Sequence, residues 1–115
     1  AYKAGDMAKV IGLFQSQQQP AAQDYFYTGN AYLLQGKSPE AIQQFLQLVT
    51  LNTKNQSPVF EEDADYYLAM AYLKNDQPDK AEPLLEKINN TKGHLYQDKV
   101  SNWLIWKVKH AVNNK

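Results

Sequence analysis

The sequence contains no cysteine and no arginine among its 115 residues, and its 12 lysines are balanced by 12 acidic residues. The absence of cysteine excludes disulfides, zinc-thiolate sites and thiol catalysis. Nucleic-acid-binding proteins usually carry excess positive charge and use arginine for bidentate contacts, so a nucleic-acid partner is disfavoured. No apolar run approaches the length of about 18 residues that a membrane-spanning helix needs.

Histidine is scarce, and the two histidines do not form a recognisable catalytic arrangement. His94 and His110 are sixteen residues apart, and neither has an acidic residue at a spacing typical of a catalytic pair. The five glycines are scattered, which argues against a phosphate-binding loop, and neither G-x-S-x-G nor H-E-x-x-H occurs. The sequence therefore predicts a protein that is not an enzyme and binds no cofactor.

Four acidic residues are crowded into one short stretch, which contains Glu61, Glu62, Asp63 and Asp65. Consecutive side chains on a helix point in different directions, so these four carboxylates are not expected to converge on one metal ion. Negative charge in the first turns of a helix complements the helix dipole. We therefore predict that these residues stabilise a helix start and form no metal site.

The main feature that is present is an internal repeat with a spacing of forty residues. The stretch from Tyr25 to Phe45 resembles the stretch from Tyr66 to Leu85. Ala31-Tyr32-Leu33 aligns with Ala71-Tyr72-Leu73, and Ala41 aligns with Ala81. Repeats of this length are typical of helical arrays in which each unit packs on its neighbours.

Each repeat has the pattern of a helical hairpin. In the first repeat the apolar and small residues have the i, i+3, i+4, i+7 spacing of one helix face. Gly36 is suited to a helix end because it tolerates a left-handed conformation, and Ser38 with Pro39 is typical of a new helix start. Gly29 and Ala41 are small residues on facing stripes, so we predict that they allow the two helices to approach closely.

These motifs resemble the tetratricopeptide repeat, whose pattern is W-x2-L-G-x2-Y followed by A-x3-F. The first copy matches it from Tyr25 through Gly29 to Phe45, whereas the second has Asp65 where a bulky aromatic residue is usual. The resemblance covers roughly residues 22–93. It implies an all-α fold, a short right-handed solenoid of antiparallel hairpins with about six helices.

The chain is expected to form a single domain that is a piece of a longer protein, because it opens inside a helical pattern. We predict a half repeat at 1–20, repeats at 21–57 and 58–93, and a capping helix at 94–115. The expected helices span about 6–18, 21–35, 38–52, 58–74, 78–89 and 95–112, with a polar loop at 53–57. Overall resemblance favours a module of a larger bacterial protein.

The resemblance also implies a binding face, since the first helix of each hairpin lines the concave surface in this family. The peptide-binding residues expected there are Phe26, Asn30, Tyr66, Met70 and Trp106. Aromatic residues and methionine are enriched at interface centres. The alternative, that several of these side chains pack against a neighbouring repeat or the cap, stays open at this point.

Some members of the family hold the C-terminal carboxylate of chaperones with a clamp of Asn and Lys. Asn30 matches one clamp position, but Phe26 stands where the lysine would be, and Lys74 alone does not restore the clamp. The resemblance therefore implies a non-catalytic scaffold for a protein or peptide with apolar anchors. The alternative function is a structural spacer or self-association module.

Two further surfaces are candidates for contacts. The last predicted helix carries Trp103 and Trp106 among lysines, a pattern found at anionic membrane surfaces. The favoured interpretation is an ordinary amphipathic cap that is packed by its tryptophans. In the half repeat, Val10, Ile11 and Phe14 are expected to pack on the second and third helices and to leave an apolar edge, which predicts a homodimer through an array end.

Overall fold

The computed structural model describes residues 21–113, which form five α-helices and one 3-10 turn. The elements are α1 (Ala22–Leu34), α2 (Ser38–Asn55), α3 (Glu61–Lys74), α4 (Pro78–Asn90), the 3-10 turn (Gln97–Lys99) and α5 (Asn102–Asn113). The prediction of an all-α array of hairpins is confirmed. The helix predicted at 6–18, with the packing expected of Val10, Ile11 and Phe14, lies outside the described residues.

The first hairpin is formed by α1 and α2, which approach closely at Gly29. A Cβ atom added to Gly29 would lie 2.6 Å from Cε1 of Phe45, well inside van der Waals contact. Gly29 is buried, and Ala41 and Phe45 are fully buried on the facing helix. The predicted role of Gly29 and Ala41 in the hairpin contact is therefore confirmed.

The two hairpins turn in the same way. Gly36 has a φ of 77°, and the N–H of Lys37 donates to the Tyr32 carbonyl at 2.9 Å. In the second hairpin Asp76 has a φ of 57°, and the N–H of Gln77 donates to the Tyr72 carbonyl at 2.8 Å. A left-handed residue with this six-to-one hydrogen bond is the Schellman ending, so each first helix ends with its carbonyls satisfied.

The core has two hydrophobic clusters that meet in the middle of the molecule. The first joins α1, α2 and α3 through Leu33, Ala41, Ile42, Phe45, Leu68 and Ala71. The second joins α3, α4, the loop that follows α4 and α5 through Ala69, Ala81, Leu85, Ile88, Val100, Ile105 and Val108. Tyr72 and Leu84 pack against both clusters. Within residues 21–113, no helix has the length and apolar character required to cross a membrane.

The link between the hairpins differs from the predicted polar loop at 53–57. Helix α2 continues to Asn55, and Gln56 then adopts a left-handed conformation with a φ of 51°. The buried Asn52 side chain donates from Nδ2 to the Val59 carbonyl at 2.6 Å. Residues 53–55 therefore extend the helix by about one turn before the chain reverses.

The predicted capping helix at 95–112 is wrong at its start. Residues 94–100 form a loop with the 3-10 turn, and α5 begins at Asn102. The Ser101 Oγ accepts a hydrogen bond from the Leu104 N–H at 3.1 Å, as an N-cap residue does. The physical reason for the delayed start is that side-chain contacts to α3 hold residues 94–96 in a turn, which the hydrogen bond from the Gln97 N–H to the His94 carbonyl closes at 3.0 Å.

Candidate functional site

The first helices of the two hairpins lie beside a groove of about 560 Å³. We call it the α1–α3 groove. Its lining residues are Phe26, Tyr27, Asn30, Leu33 and Leu34 from α1, Tyr66, Tyr67, Met70 and Lys74 from α3, and Lys99 from the 3-10 turn. Four of the five residues predicted to bind peptide, Phe26, Asn30, Tyr66 and Met70, line this groove.

Phe26 forms the floor of the groove on the α1 side. Its ring stacks on Phe60 with centroids 4.6 Å apart and meets Tyr67 edge-on at 5.6 Å. The side chain is half-buried, and it also packs against the first core cluster. Phe26 therefore combines the two roles weighed from the sequence: it packs on the neighbouring repeat and still lines the groove.

Tyr66 is fixed on the α3 side by a second aromatic stack. Its ring lies parallel to Tyr96, with centroids 4.6 Å apart and an interplanar angle of 6°. Tyr66 and Met70 are half-buried, and both pack against the second core cluster. The position of the Tyr66 ring thus depends on the loop that carries Tyr96.

Asn30 supplies a polar group among these apolar side chains. Its Nδ2 donates one hydrogen bond to the Phe26 carbonyl at 3.1 Å, which fixes the orientation of the amide. Among residues 21–113 no other hydrogen bond engages this side chain, so its oxygen and second N–H remain available. A side-chain amide can both donate and accept, which suits a peptide backbone.

Trp106 does not join the other four predicted residues. It lies on α5 with 61% of its surface exposed, and its ring stacks on His110 with centroids 5.4 Å apart. Trp103 is 65% exposed, whereas Ile105 and Val108 are the α5 residues that enter the core. The interpretation of a cap packed by its tryptophans is therefore wrong, because branched aliphatic residues occupy the buried side of the helix.

The acidic start of α3 holds the loop after α4. The Asp65 carboxylate is buried and lies 3.1 Å from both Lys87 Nζ and His94 Nε2. The Tyr96 N–H donates to His94 Nδ1 at 3.1 Å, so the proton of the neutral imidazole is placed on Nε2, facing Asp65. Glu62 accepts from the Leu95 N–H at 3.3 Å.

Asp63 completes this attachment by accepting a hydrogen bond from the Tyr96 hydroxyl at 2.5 Å. Burial of the phenol, followed by its hydrogen bond to the negatively charged Asp63, raises the pKa of Tyr96 far above its ordinary value. Three of the four acidic residues therefore have specific partners in residues 94–96, beyond the general helix-dipole role expected from the sequence. The same contacts place Tyr96 against Tyr66 and Lys99 beside the groove.

Sequence reasoning missed several residues of the groove. Tyr27 and Leu34 are three and four residues from Asn30, and Tyr67 is three residues from Met70, so the helical period alone places them nearby. Lys99 carried no such signal, because it follows a loop whose path depends on contacts to α3. Among the described residues, no group of three or more His, Cys, Asp or Glu side chains is arranged to hold a metal ion.

Comparison with known proteins bears on the two hairpins. A sequence model of the tetratricopeptide repeat matches residues 25–52 and again residues 63–90. These two ranges cover most of α1 with α2 and most of α3 with α4. Neither the search of curated proteins nor the search of solved structures returned a match. Tetratricopeptide repeats generally mediate protein–protein interactions and are typically non-catalytic scaffolds. With two matched segments, each folded as a helical hairpin, the chain contains two tetratricopeptide repeats.

Proposed function

We propose that this protein is a non-catalytic scaffold that binds a peptide or protein segment in the α1–α3 groove. The observation that carries the proposal is the composition of that groove, where aromatic, leucine and methionine side chains surround the amide of Asn30. Fully buried interface centres are enriched in aromatic residues and methionine, with few polar groups that fix orientation. The protein partner is consistent with what the family generally does.

The groove is also organised before any partner binds. Stacking on Phe60 and Tyr96 holds the rings of Phe26 and Tyr66, and packing on the core restricts Met70. Immobilising a rotamer-rich side chain on binding costs about 0.5–1.5 kcal/mol, so side chains that are already held reduce this cost. A segment with apolar anchors is therefore the ligand that the groove fits.

Absence of catalysis, of cofactors and of a nucleic-acid partner is part of the same proposal. The supporting observations are the lack of arginine, the net charge of zero and the lack of a recognised catalytic motif in the sequence. His94 is 5% exposed and bonded to the Asp65 carboxylate, which suits a structural role in holding the loop.

The test begins with selection of random twelve-residue peptides displayed on phage against the immobilised protein. Selected peptides are then titrated by calorimetry against Leu34→Glu, which alters an exposed groove residue. The matched control is Leu46→Glu, which alters an exposed leucine of α2 outside the groove. Met70→Ala should weaken binding by at least about 2 kcal/mol if it is a central contact, and Leu46→Glu should leave affinity unchanged.

The proposal fails if no peptide is selected, or if Leu34→Glu and Leu46→Glu change affinity equally. Because Tyr66 and Phe26 also support the core, the exposed Leu34 is the better first variant. A loss of binding at Leu34 with an unchanged melting temperature separates the groove from general destabilisation.

A second candidate function is self-association, and the exposed tryptophans of α5 favour it. Trp103 and Trp106 are 65% and 61% exposed on one side of a helix whose opposite side is in the core. Light scattering of the wild type and of the double variant Trp103→Gln/Trp106→Gln tests whether the exposed side of α5 forms a homodimer. Sedimentation with vesicles of anionic lipid tests the remaining alternative, contact with a membrane surface, which should weaken at high salt.

A further inference from the structure

A buried histidine, His94, lies in the loop that follows α4. Two other residues of this loop reach the α1–α3 groove. The Tyr96 ring stacks on Tyr66 with centroids 4.6 Å apart, and Lys99 is one of the lining residues. A change in the position of this loop therefore changes the α3 side of the groove.

The two ring nitrogens of His94 have different hydrogen-bond partners. Nε2 lies 3.1 Å from the Asp65 carboxylate, and Nδ1 accepts a hydrogen bond from the Tyr96 N–H at 3.1 Å. A neutral imidazole donates from one nitrogen and accepts at the other, whereas an imidazolium donates from both. The hydrogen bond from the Tyr96 N–H therefore exists only while His94 is uncharged.

A second partner for Nδ1 lies close to the ring. Glu62 Oε2 is 3.9 Å from Nδ1, which is beyond hydrogen-bonding distance, but the Glu62 side chain is partly exposed and has room to move. His94 lines a cavity of about 270 Å³ together with the charged groups of Glu61, Glu62, Asp65 and Lys87. A positively charged ring there has a carboxylate beside each nitrogen, and the ammonium group of Lys87 opposes it.

We propose that His94 is a pH-sensitive switch for the α3 side of the α1–α3 groove. When Nδ1 takes up a proton, it donates to Glu62, and the Tyr96 N–H loses its acceptor. The Tyr96 ring then moves relative to Tyr66, while the hydrogen bond from its hydroxyl to Asp63 keeps the loop attached to α3. Histidine side chains ordinarily change charge between pH 5 and 8, so mild acid is the signal. The switch goes beyond the proposed function, because it requires no particular ligand.

Nuclear magnetic resonance of the wild type between pH 7.5 and 5.0 tests the switch. The signals of the Tyr96 amide and the Tyr66 ring should shift with the same midpoint as the ring nitrogens of His94. Protection of the Tyr96 N–H from hydrogen exchange, corrected for the intrinsic effect of pH, should fall as His94 becomes charged. The expected fall is about 3- to 10-fold, as for the loss of one hydrogen bond.

Three variants distinguish the switch from a general effect of acid. His94→Asn has no charged form, and the asparagine oxygen can accept from the N–H two residues later, as in an Asx turn, so protection of the Tyr96 N–H should not vary with pH. Glu62→Gln removes the carboxylate beside Nδ1, so the midpoint should move to lower pH. His110→Gln is the matched control, since His110 is exposed on α5, and it should keep the wild-type response.

The inference is overturned if the His94 ring titrates while the signals of the Tyr96 amide and the Tyr66 ring stay unchanged. A wild-type pH response in His94→Asn, or an unchanged midpoint in Glu62→Gln, would also contradict it. So would a His94 ring that stays neutral down to the pH at which the wild type unfolds. If His94→Asn fails to fold, the measurements on the wild type and Glu62→Gln decide the question.

Discussion

In the first hairpin the residue four positions before Gly29 is Tyr25, whereas in the second hairpin the residue four positions before Ala69 is Asp65. Tyr25 keeps an aromatic side chain where the family pattern has one. Asp65 instead brings a carboxylate that is 6% exposed into contact with Lys87 and His94. The two positions are equivalent in the repeat, but the chemistry around them is different.

The contact between the paired helices differs as well. In the first hairpin Gly29 faces the large ring of Phe45, and in the second the corresponding residues are Ala69 and Leu85. A glycine leaves room for an aromatic ring, and an alanine matches the smaller leucine. The two hairpins therefore distribute side-chain volume differently between the paired helix positions.

The departure from the family pattern at position 65 gives the second hairpin a buried hydrogen-bond acceptor. The Asp65 carboxylate holds His94 and Lys87, whereas the tryptophan of the family pattern has only a donor. Once His94 is held, Tyr96 reaches Tyr66 and the 3-10 turn brings Lys99 to the groove. The first hairpin is stabilised mainly by apolar packing, whereas in the second a buried carboxylate holds the loop that positions part of the candidate site.

The largest losses of stability are expected from substitutions that remove apolar packing in each hairpin. Phe45→Ala should reduce the free energy of unfolding by about 3–5 kcal/mol, and Leu85→Ala by about 2–5 kcal/mol. Phe45 should cost more because its ring contacts Phe26 and Tyr67 from both hairpins. Urea denaturation followed by far-UV circular dichroism measures both. Val49→Ala, at an exposed position, is the control. A larger loss of stability for Leu85→Ala than for Phe45→Ala would contradict the greater role of apolar packing in the first hairpin.

A smaller loss is expected when the charged contact of the second hairpin is removed. Asp65→Ala leaves the Nε2–H of a buried histidine without an acceptor, which costs about 1–3 kcal/mol. Asp65→Asn retains an acceptor for His94 and should cost less. Hydrogen exchange should show faster exchange of the Tyr96 N–H in Asp65→Ala than in the wild type. Equal stability of the Ala and Asn variants would argue against the hydrogen bond to His94.

Exchanging the helix-contact pairs sharpens the comparison further. Gly29→Ala should cost about 1–2 kcal/mol, because the new Cβ overlaps the Phe45 ring and this overpacking exceeds the better helix propensity of alanine. Adding Phe45→Leu creates the pair found in the second hairpin. The double variant should lose less than the sum of the single losses, by about 0.5–3 kcal/mol of coupling. Additive losses would show that residues 29 and 45 do not share the contact.

Periodicity and turn chemistry predict most of the hairpins. The positions of Gly36, Ser38 and Pro39 fix the first turn, because a left-handed residue and a helix start have local sequence requirements. The contact of Gly29 with the second helix follows from the facing stripes of small residues. These features are local or lie within one repeat, which is why the sequence alone predicts them.

Features that depend on contacts between distant residues were not predicted. The hydrogen bond between Asp65 and His94 joins residues 29 apart, and it belongs to the loop that precedes the start of α5 at Asn102. For the same reason Lys99 lies in the 3-10 turn instead of the predicted helix, and Trp106 on α5 does not line the groove with Tyr66. Four of the predicted peptide-binding residues lie on α1 and α3, and the helical period defines which faces of these helices carry them. The fifth, Trp106, lies after the loop, and the helical period does not predict the path of that loop.

The smallest expected effect concerns pH and the Tyr96–Asp63 contact. The phenol loses its proton near pH 10 in an unfolded chain, and its raised pKa keeps it protonated in the folded protein at that pH. The folded state therefore binds more protons above pH 10, so this contribution is fully present below pH 10 and is lost as pH rises further. Burial also raises the pKa of Tyr72, but Tyr72 is present in all the variants compared.

Stability curves of the wild type and Tyr96→Phe, measured by urea denaturation from pH 8.5 to 11.5, should therefore converge as the solution becomes more alkaline. One group with a fully shifted pKa changes the free energy of unfolding by about 1.4 kcal/mol per pH unit. Because the Tyr96 ring is only half-buried and solvent screens it, we expect the stability difference between the wild type and Tyr96→Phe to fall by about 0.5 kcal/mol per pH unit. Asp63→Asn removes the charge and keeps an acceptor, and it should give an intermediate slope. Parallel curves for the wild type and Tyr96→Phe above pH 10 would show that Asp63 does not hold the Tyr96 hydroxyl, and the attachment of the loop would then rest on Glu62 and Asp65.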